Sequence, residues 1–145
     1  MVRTMEIILL VIGPTKEKYI REGLDLYESR LKKYSKFKIS TVSSENKIIE
    51  FLKKGDKLII LDGKGTSYSS EGLSSQLQKW MNSGPKRLIF AIGDAYGFKS
   101  HSLVRADYTM SLGPMTYPHD LARLIFLEQL YRSWTILGGE PYHHG

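Results

Sequence analysis

The chain has 145 residues with 41% hydrophobic and 25% charged residues, a balance that predicts one ordinary globular domain over residues 1–145 and argues against a disordered or fibrous protein. It contains no cysteine, which excludes disulfides, thiolate metal sites and cysteine nucleophiles and fits a reducing cytoplasm. Its 21 Lys and Arg against 15 Asp and Glu give a net charge of +6, which favours nucleic acid as a partner, with a merely basic surface as the alternative.

The chain alternates between strand and helix patterns along its whole length. Short apolar runs predict strands, and apolar residues at spacings of three and four predict amphipathic helices. In chain order the elements are strand 6–12, helix 20–34, strand 37–41, a short helix between 44 and 55, strand 58–61, helix 70–80, strand 88–92, a weak helix, strand 108–112 and helix 118–134. This alternation predicts an α/β fold, a mainly parallel sheet with helices on both faces.

Several residues suit the ends of these elements. Thr15 and Ser44 are in position to cap the first two helices, and Pro118 suits the first turn of the last one. The tail from 138 to 145 contains two glycines and a proline and is not expected to form a regular element. The longest apolar run, 7–12, is too short to span a membrane, and residues 1–13 lack a signal-peptide cleavage pattern, so we expect a soluble protein of the cytoplasm.

Three loops are expected beyond the carboxyl ends of the strands, where parallel sheets bind their ligands: 62–65, 93–97 and 113–118. The loop 93–97 lacks the spacing of a dinucleotide fingerprint and the lysine of a P-loop, so neither NAD nor nucleotide phosphate binding is supported. A glycine turn needed only for geometry is the alternative. In the loop 113–118 two prolines fix the backbone, which suits the reading of an adenine edge, and a structural connector is the alternative.

Polar side chains on the last helix and in the tail are the candidates for chemistry. They are Arg123, Glu128 and Arg132 on the helix, and Tyr142, His143 and His144 in the tail. Aromatic and imidazole groups suit base stacking and proton transfer, whereas solvated charges and a frayed end are the alternative. The adjacent histidines have no nearby carboxylate or thiolate pattern, so no metal is expected. The basic segment 30–38 either contacts phosphate or is a solvated helix end that complements the helix dipole.

Three stretches near the carboxyl terminus, residues 112–123, 127–132 and 139–143, together resemble the carboxyl-terminal signature of the bacterial ribosomal RNA large-subunit methyltransferase H family. The resemblance extends more loosely over the whole chain, including the sequence LDGKG at 61–65. It implies a SPOUT-class fold with a carboxyl-terminal trefoil knot, a homodimer, S-adenosylmethionine as cofactor, and methylation of N3 of a pseudouridine in 23S ribosomal RNA. General topology rules disfavour knots, so that expectation rests wholly on the resemblance.

The resemblance also implies roles for individual residues. The cofactor pocket would be formed by Leu61, Gly93, Leu112, Gly113, Pro114, Met115, Thr116 and Tyr117. The catalytic residues near the RNA base would be His119, Arg123, Tyr142 and His143, with the tail completing the pocket of the partner subunit. His143 is the expected acceptor of the N3 proton, and Arg123 or Arg132 would hold a phosphate or carbonyl oxygen.

One position departs from the family pattern. The family's usual glycine pair after the fourth strand is Gly93-Asp94 in this chain, and a carboxylate there either contacts the sulfonium of the cofactor or points to solvent. A non-catalytic RNA-binding module of the same fold is therefore the alternative function, and Asp94 is the only hint of it.

Overall fold

A computed structural model of the chain describes residues 5–94, 97–99 and 105–145. Its elements are β1 (Glu6–Ile12), α1 (Lys18–Leu31), β2 (Lys36–Val42), α2 (Asn46–Phe51), β3 (Asp56–Ser67), α3 (Ser70–Asn82), β4 (Arg87–Ile92), β5 (Tyr108–Ser111) and α4 (His119–Leu137). The predicted order of strands and helices is confirmed for these ranges. The weak helix predicted before β5 falls largely on residues 100–104, outside the described ranges. No helix within the described ranges has the length and apolar character needed to cross a membrane.

The five strands form one sheet in the order β2-β1-β4-β3-β5, and every neighbouring pair is parallel. Leu9 of β1, for example, pairs with Ile39 of β2 on one side and Phe90 of β4 on the other. Since all strands run the same way, their carboxyl ends lie along one edge of the sheet. The predicted parallel sheet is confirmed, and the trefoil knot implied by the resemblance stays a prediction.

Helices cover both faces of the sheet, as the continuous apolar strands predicted. Successive side chains of β1 point to opposite faces, so Leu9 packs in one core cluster and Ile8 in the other. The larger cluster joins the sheet to α1, α3 and α4, and includes the fully buried Phe126 of α4. The smaller one includes Ile48 of α2. Burial on both faces explains why β1 needs no polar residue after Glu6.

The sequence predicts that strand 58–61 ends in a glycine-rich loop at 62–65. In the structure β3 does not end at Leu61. β3 continues to Ser67, and its pairing with β5 shifts register between Leu61 and Thr66, both of which lie opposite Met110. A Cβ atom on Gly65 would lie 2.6 Å from the backbone of Met110, so only glycine allows this approach. The segment is a bulge within a strand and not a connecting turn.

The predicted side-chain caps of the first two helices are wrong. α1 begins after Glu17 and α2 after Glu45, and neither has a side-chain cap hydrogen bond. Thr15 instead accepts a hydrogen bond from Arg123 through its hydroxyl, which gives it a long-range role. The last helix follows the prediction closely, because it starts directly after Pro118.

Candidate functional site

A cavity of about 690 Å³ opens beside the bulge of β3 and the carboxyl ends of β4 and β5. Cofactor and small-molecule sites typically enclose about 300–1,000 Å³. Its walls are formed by residues 61–63, 92–94, 97, 111–113, 115–119 and 122. Because β3 lies between β4 and β5, the three loops expected to carry ligands meet around this cavity. A cavity therefore lies where the sequence predicted a ligand site, and ligand binding there stays a prediction.

The structure brings together nearly all residues that the sequence predicted for cofactor binding. Seven line the cavity, namely Leu61, Gly93, Leu112, Gly113, Met115, Thr116 and Tyr117, whereas Pro114 does not. His119, predicted to be catalytic, also lines it. Ala95 and Tyr96 of the predicted glycine loop lie outside the described residues. Within the described ranges, no group of three or more His, Asp or Glu side chains is placed to hold a metal ion.

Glycines make part of the cavity wall from bare backbone. Gly113 has φ +113°, in the region that side chains disfavour, and it lies where the chain leaves β5. A Cβ atom on Gly93 would lie 3.0 Å from the carbonyl carbon and oxygen of Gly97. The two ends of this loop therefore approach closely, and amide and carbonyl groups near the cavity are not covered by side chains.

Arg123 is completely buried, at 0% exposure. Its guanidinium donates hydrogen bonds to the carbonyl oxygen of Ile12 at 2.7 Å and to the hydroxyl of Thr15 at 2.8 Å. These contacts attach the loop between β1 and α1 to the first turns of α4. The structure thus places the Arg123 guanidinium inside the protein, and the contact between this guanidinium and the base stays a prediction.

Asp120 is the second member of this buried network. Its Oδ2 accepts hydrogen bonds from the backbone N–H groups of Lys16 at 2.8 Å and Glu17 at 3.4 Å. Its Oδ1 lies 3.2 Å from Nε2 of His119 and 3.7 Å from Nη1 of Arg123. Burial by itself raises the pKa of the Asp120 carboxyl, but the two N–H groups and the positive charge of Arg123 hold that pKa below its ordinary value. The carboxylate therefore stays ionised beside the cavity-lining histidine.

Only part of this network could be predicted from the sequence. Asp120 and Arg123 are three residues apart on one helix, a spacing that predicts a local ion pair. Their partners in the loop after β1 are more than one hundred residues away in the chain. No local pattern identifies such partners, so Asp120 was missed as a site residue.

The carboxyl-terminal tail packs against α4 of its own chain. The hydroxyl of Tyr142 donates to Oε2 of Glu128 at 2.8 Å, and Nη2 of Arg132 donates to the same oxygen at 3.0 Å. The rings of Tyr131 and Tyr142 meet edge to face with centroids 4.9 Å apart. Burial, together with hydrogen bonds to Tyr27 and Glu128, raises the pKa of the Tyr142 hydroxyl. This phenol therefore stays protonated at neutral pH and serves as a donor.

His143 is held between two charged side chains. Nη1 of Arg132 lies 2.9 Å from Nδ1 of His143, and because a guanidinium only donates, Nδ1 is the acceptor and Nε2 carries the proton in this arrangement. Nε2 lies 3.2 Å from Oε2 of Glu71, a polar contact whose direction does not meet hydrogen-bond geometry. A hydrogen bond from its own backbone N–H and the contact with His143 lower the pKa of Glu71.

The predicted catalytic residues fall into two groups within one chain. His119 lies at the start of α4 beside the cavity, whereas Tyr142 and His143 contact Arg132 thirteen residues further along that helix. Thirteen residues span roughly 20 Å of helix. A single chain thus brings His119 to the cavity and holds its own tail near the other end of α4.

Part of the basic segment 30–38 is engaged within the protein. The guanidinium of Arg30 lies 5.3 Å from the ring centre of Tyr27 and 5.4 Å from that of Tyr131. Lys32 lies 3.7 Å from Glu28, one turn earlier on α1. Contact between this segment and RNA stays a prediction.

Comparisons with known proteins agree with the fold. A family model described as "Predicted SPOUT methyltransferase" matches residues 5–143. A Flavobacterium johnsoniae protein named ribosomal RNA large subunit methyltransferase H is 42% identical, over 97% of this chain and 99% of the relative. A protein of the same name from Acetivibrio thermocellus is 39% identical, over 96% of this chain and 99% of the relative.

Solved structures show the same fold at much lower sequence identity. A probable methylase family protein from Haemophilus influenzae has a TM-score of 0.57 at 8% identity, covering 100% of this chain and 72% of its own. The SpoU methyltransferase AviRb from Streptomyces viridochromogenes, solved with AdoMet, has a TM-score of 0.54 at 13% identity, covering 92% and 59%. The match of the family model over nearly the whole chain and the close curated relatives together establish that this chain belongs to the SPOUT methyltransferases, within the ribosomal RNA large subunit methyltransferase H family.

Proposed function

We propose that this protein uses S-adenosylmethionine to methylate N3 of a pseudouridine in 23S ribosomal RNA, as a cytoplasmic homodimer of single-domain subunits. The observation that carries the proposal is the cavity beside the β3 bulge and the ends of β4 and β5, which is lined by seven of the eight residues expected to bind the cofactor. The names of the curated relatives supply the class of RNA substrate. The net charge of +6 supports a polyanionic partner.

The wall of the cavity suits S-adenosylmethionine. Apolar side chains of Leu61, Ile92 and Leu112 can pack against the adenosine, and the uncovered backbone near Gly93 and Gly113 can read an adenine edge by hydrogen bonds. Two carboxylates in the same wall complement a positive charge on the ligand. When bound, the cofactor supplies a methyl group already activated by its sulfonium. The protein must therefore orient the base and assist loss of its N3 proton.

His119 and the tail supply the groups that can handle this proton. His119 lines the cavity and is oriented by the carboxylate of Asp120. His143 remains the proposed acceptor, and since its Nδ1 is engaged with Arg132, it must leave that guanidinium to accept a proton there. Tyr142 stays protonated and is suited to donate a hydrogen bond to a base carbonyl. Arg132, which lies on the surface of α4 near the tail, takes the phosphate- or carbonyl-holding role.

The distance between the two groups of residues supports a composite site. Arg132, which contacts the tail, lies roughly 15 Å along α4 from Ala122 in the cavity wall of its own chain. A two-fold dimer in which the tail of one subunit reaches the cavity of the other would unite His143 with His119.

The proposal is tested by calorimetric titration with S-adenosylmethionine, followed by methyl transfer to ribosomes that lack the modification. We expect saturable binding that is lost in Ala122→Trp, because Ala122 lines the cavity and an indole there fills it. Leu137→Trp is the matched control, since Leu137 is exposed at the far end of the same helix. Thermal melting of both variants confirms folding.

The same experiment separates the alternative. A non-catalytic RNA-binding module would bind ribosomal RNA but neither bind the cofactor nor transfer a methyl group. Binding without transfer would support the cofactor site and contradict the proposed reaction.

A further inference from the structure

The cavity carries a local charge opposite to that of the whole protein. Asp62, Asp94 and His119 are the residues with acidic or basic side chains that line it within the described ranges. No Lys or Arg is among those lining residues, although the chain has 21 of them and a net charge of +6. Two carboxylates against one histidine make the described part of the wall anionic within a basic protein.

The two acidic residues come from neighbouring strands, Asp62 from the bulge of β3 and Asp94 from the loop after β4. Leu61 of β3 pairs with Ile92 of β4, and Asp62 and Asp94 follow these residues by one and two positions. Neighbouring strands lie about 4.8 Å apart, so the two acidic residues lie close together just beyond the last paired residues of β3 and β4. His119 is contributed by α4, and its Nε2 faces Asp120 at 3.2 Å.

Local hydrogen bonds hold both acidic residues in place. Oδ1 of Asp62 accepts from the backbone N–H of Lys64 at 2.9 Å. Asp94 pairs with Gly97 as an isolated antiparallel bridge, and the N–H of Gly97 donates to its carbonyl at 3.0 Å. The backbone at both positions is thus fixed before any ligand binds.

We propose that Asp62 and Asp94 make this cavity selective for the charge on the cofactor's sulfur, so that it binds S-adenosylmethionine more tightly than S-adenosylhomocysteine. The inference rests on the proposed function and adds a specificity role for these residues. The two ligands share their adenosine and amino-acid groups and differ by one methyl group and one positive charge. Contacts to the shared groups cancel in the ratio of the two affinities, whereas attraction to the carboxylates does not.

The consequence for turnover is release of the product. Loss of the methyl group removes the positive charge, and with it the attraction to both carboxylates. The demethylated cofactor then binds more weakly than the methyl donor that replaces it.

The test is calorimetric titration of the full-length protein with three probes. They are S-adenosylmethionine, S-adenosylhomocysteine, and the analogue sinefungin, in which an amine-bearing carbon replaces the methylated sulfur and keeps the positive charge. Asp62→Asn, Asp94→Asn and the double variant retain side-chain size and remove charge. Asp25→Asn is the matched control, because Asp25 is exposed on α1, outside the cavity, and its substitution changes the net charge equally.

We expect the affinity ratio of S-adenosylmethionine to S-adenosylhomocysteine to fall about threefold in each single variant and about tenfold in the double variant, the size typical of partly exposed ion pairs. The affinity for sinefungin should fall in the same variants as the affinity for S-adenosylmethionine. Asp25→Asn should leave the ratio unchanged. In the unsubstituted protein, the ratio should shrink as NaCl rises from about 0.05 to about 0.5 M, because salt screens the attraction.

Each other outcome has a distinct meaning. An unchanged ratio in a folded double variant that binds both ligands overturns the inference and leaves the proposed function intact. If the variants do not fold, a ratio independent of salt in the unsubstituted protein overturns it instead. Absence of binding by any probe to the unsubstituted protein contradicts the proposed function itself.

Discussion

Replacement of Arg123 by methionine tests how much the buried network of Arg123 and Asp120 stabilises the folded protein. Met keeps most of the length of the side chain and removes its charge and donors. The substitution leaves the carbonyl of Ile12 without its 2.7 Å partner and the buried carboxylate of Asp120 without its 3.7 Å cationic neighbour. Breaking a buried charged pair in this way typically costs about 3–5 kcal/mol.

The expected size of the effect is large for a protein of this length. One kcal/mol lowers the melting temperature of such a domain by roughly 3 °C, so Arg123→Met should lower it by about 10–15 °C. Urea unfolding gives the free energy directly, and the protein concentration must be fixed because the proposed dimerisation would stabilise the native state.

Arg21→Met is the control for this experiment. Arg21 also bonds the loop after β1, through the carbonyl of Lys16, but does so on the exposed surface. Its replacement should change the free energy of unfolding by less than about 0.5 kcal/mol. Equal effects of the two variants, or strictly additive effects of Arg123→Met and Asp120→Asn in a double-mutant cycle, would refute the reasoning.

Three further predictions follow from other parts of the molecule. Burial raises the pKa of the Asp56 carboxyl. Two hydrogen bonds from the guanidinium of Arg87 on β4 and one from a backbone N–H have the larger combined effect and hold that pKa below its ordinary value. The stabilisation is therefore present above about pH 4 and is lost as the pH falls through the lowered value, so the stability difference between the protein and Asp56→Asn should narrow in acid urea titrations. Gly65→Ala should lower the free energy of unfolding by about 2 kcal/mol or more, because its Cβ would meet the backbone of β5 at 2.6 Å, whereas Gly63→Ala, with nothing within 4 Å, should be nearly neutral. His143→Ala should abolish most methyl transfer to ribosomes with saturating cofactor and unchanged cofactor affinity, and normal turnover would exclude His143 as the proton acceptor.

Much of the fold could be predicted because a strand or helix that is buried has a recognisable pattern of apolar residues in its own sequence. β1 lies between two strands and under helices on both faces, and its sequence is correspondingly apolar from Ile7 to Ile12. The position of the cavity could also be predicted, since parallel strands place the loops that follow them at one edge of the sheet. The individual pocket residues came from the family resemblance, and the structure places all but Pro114 of them in the cavity wall.

Long-range pairing explains what the sequence could not predict. Arg123 has the same local surroundings as a solvated helical arginine, and only the packing of α4 against the loop after β1 makes it a buried residue. Gly65 looked like a turn residue because the close approach of Met110 depends on the register of β5. The docking of Tyr142 on Glu128 likewise depends on how the tail folds back.

The walls of the cavity come from distant parts of the chain, and this has a consequence for the lifetime of the protein. The ends of β3 and β4 supply one side, and residues 111–122 supply the other. A ligand that fills the cavity ties the carboxyl-terminal third to the rest of the sheet and opposes its opening by RT ln(1 + [L]/Kd). Proteolytic degradation that begins by detachment of this third would therefore slow as the supply of cofactor rises, so the metabolic state of the cell would set the abundance of the protein as well as its activity.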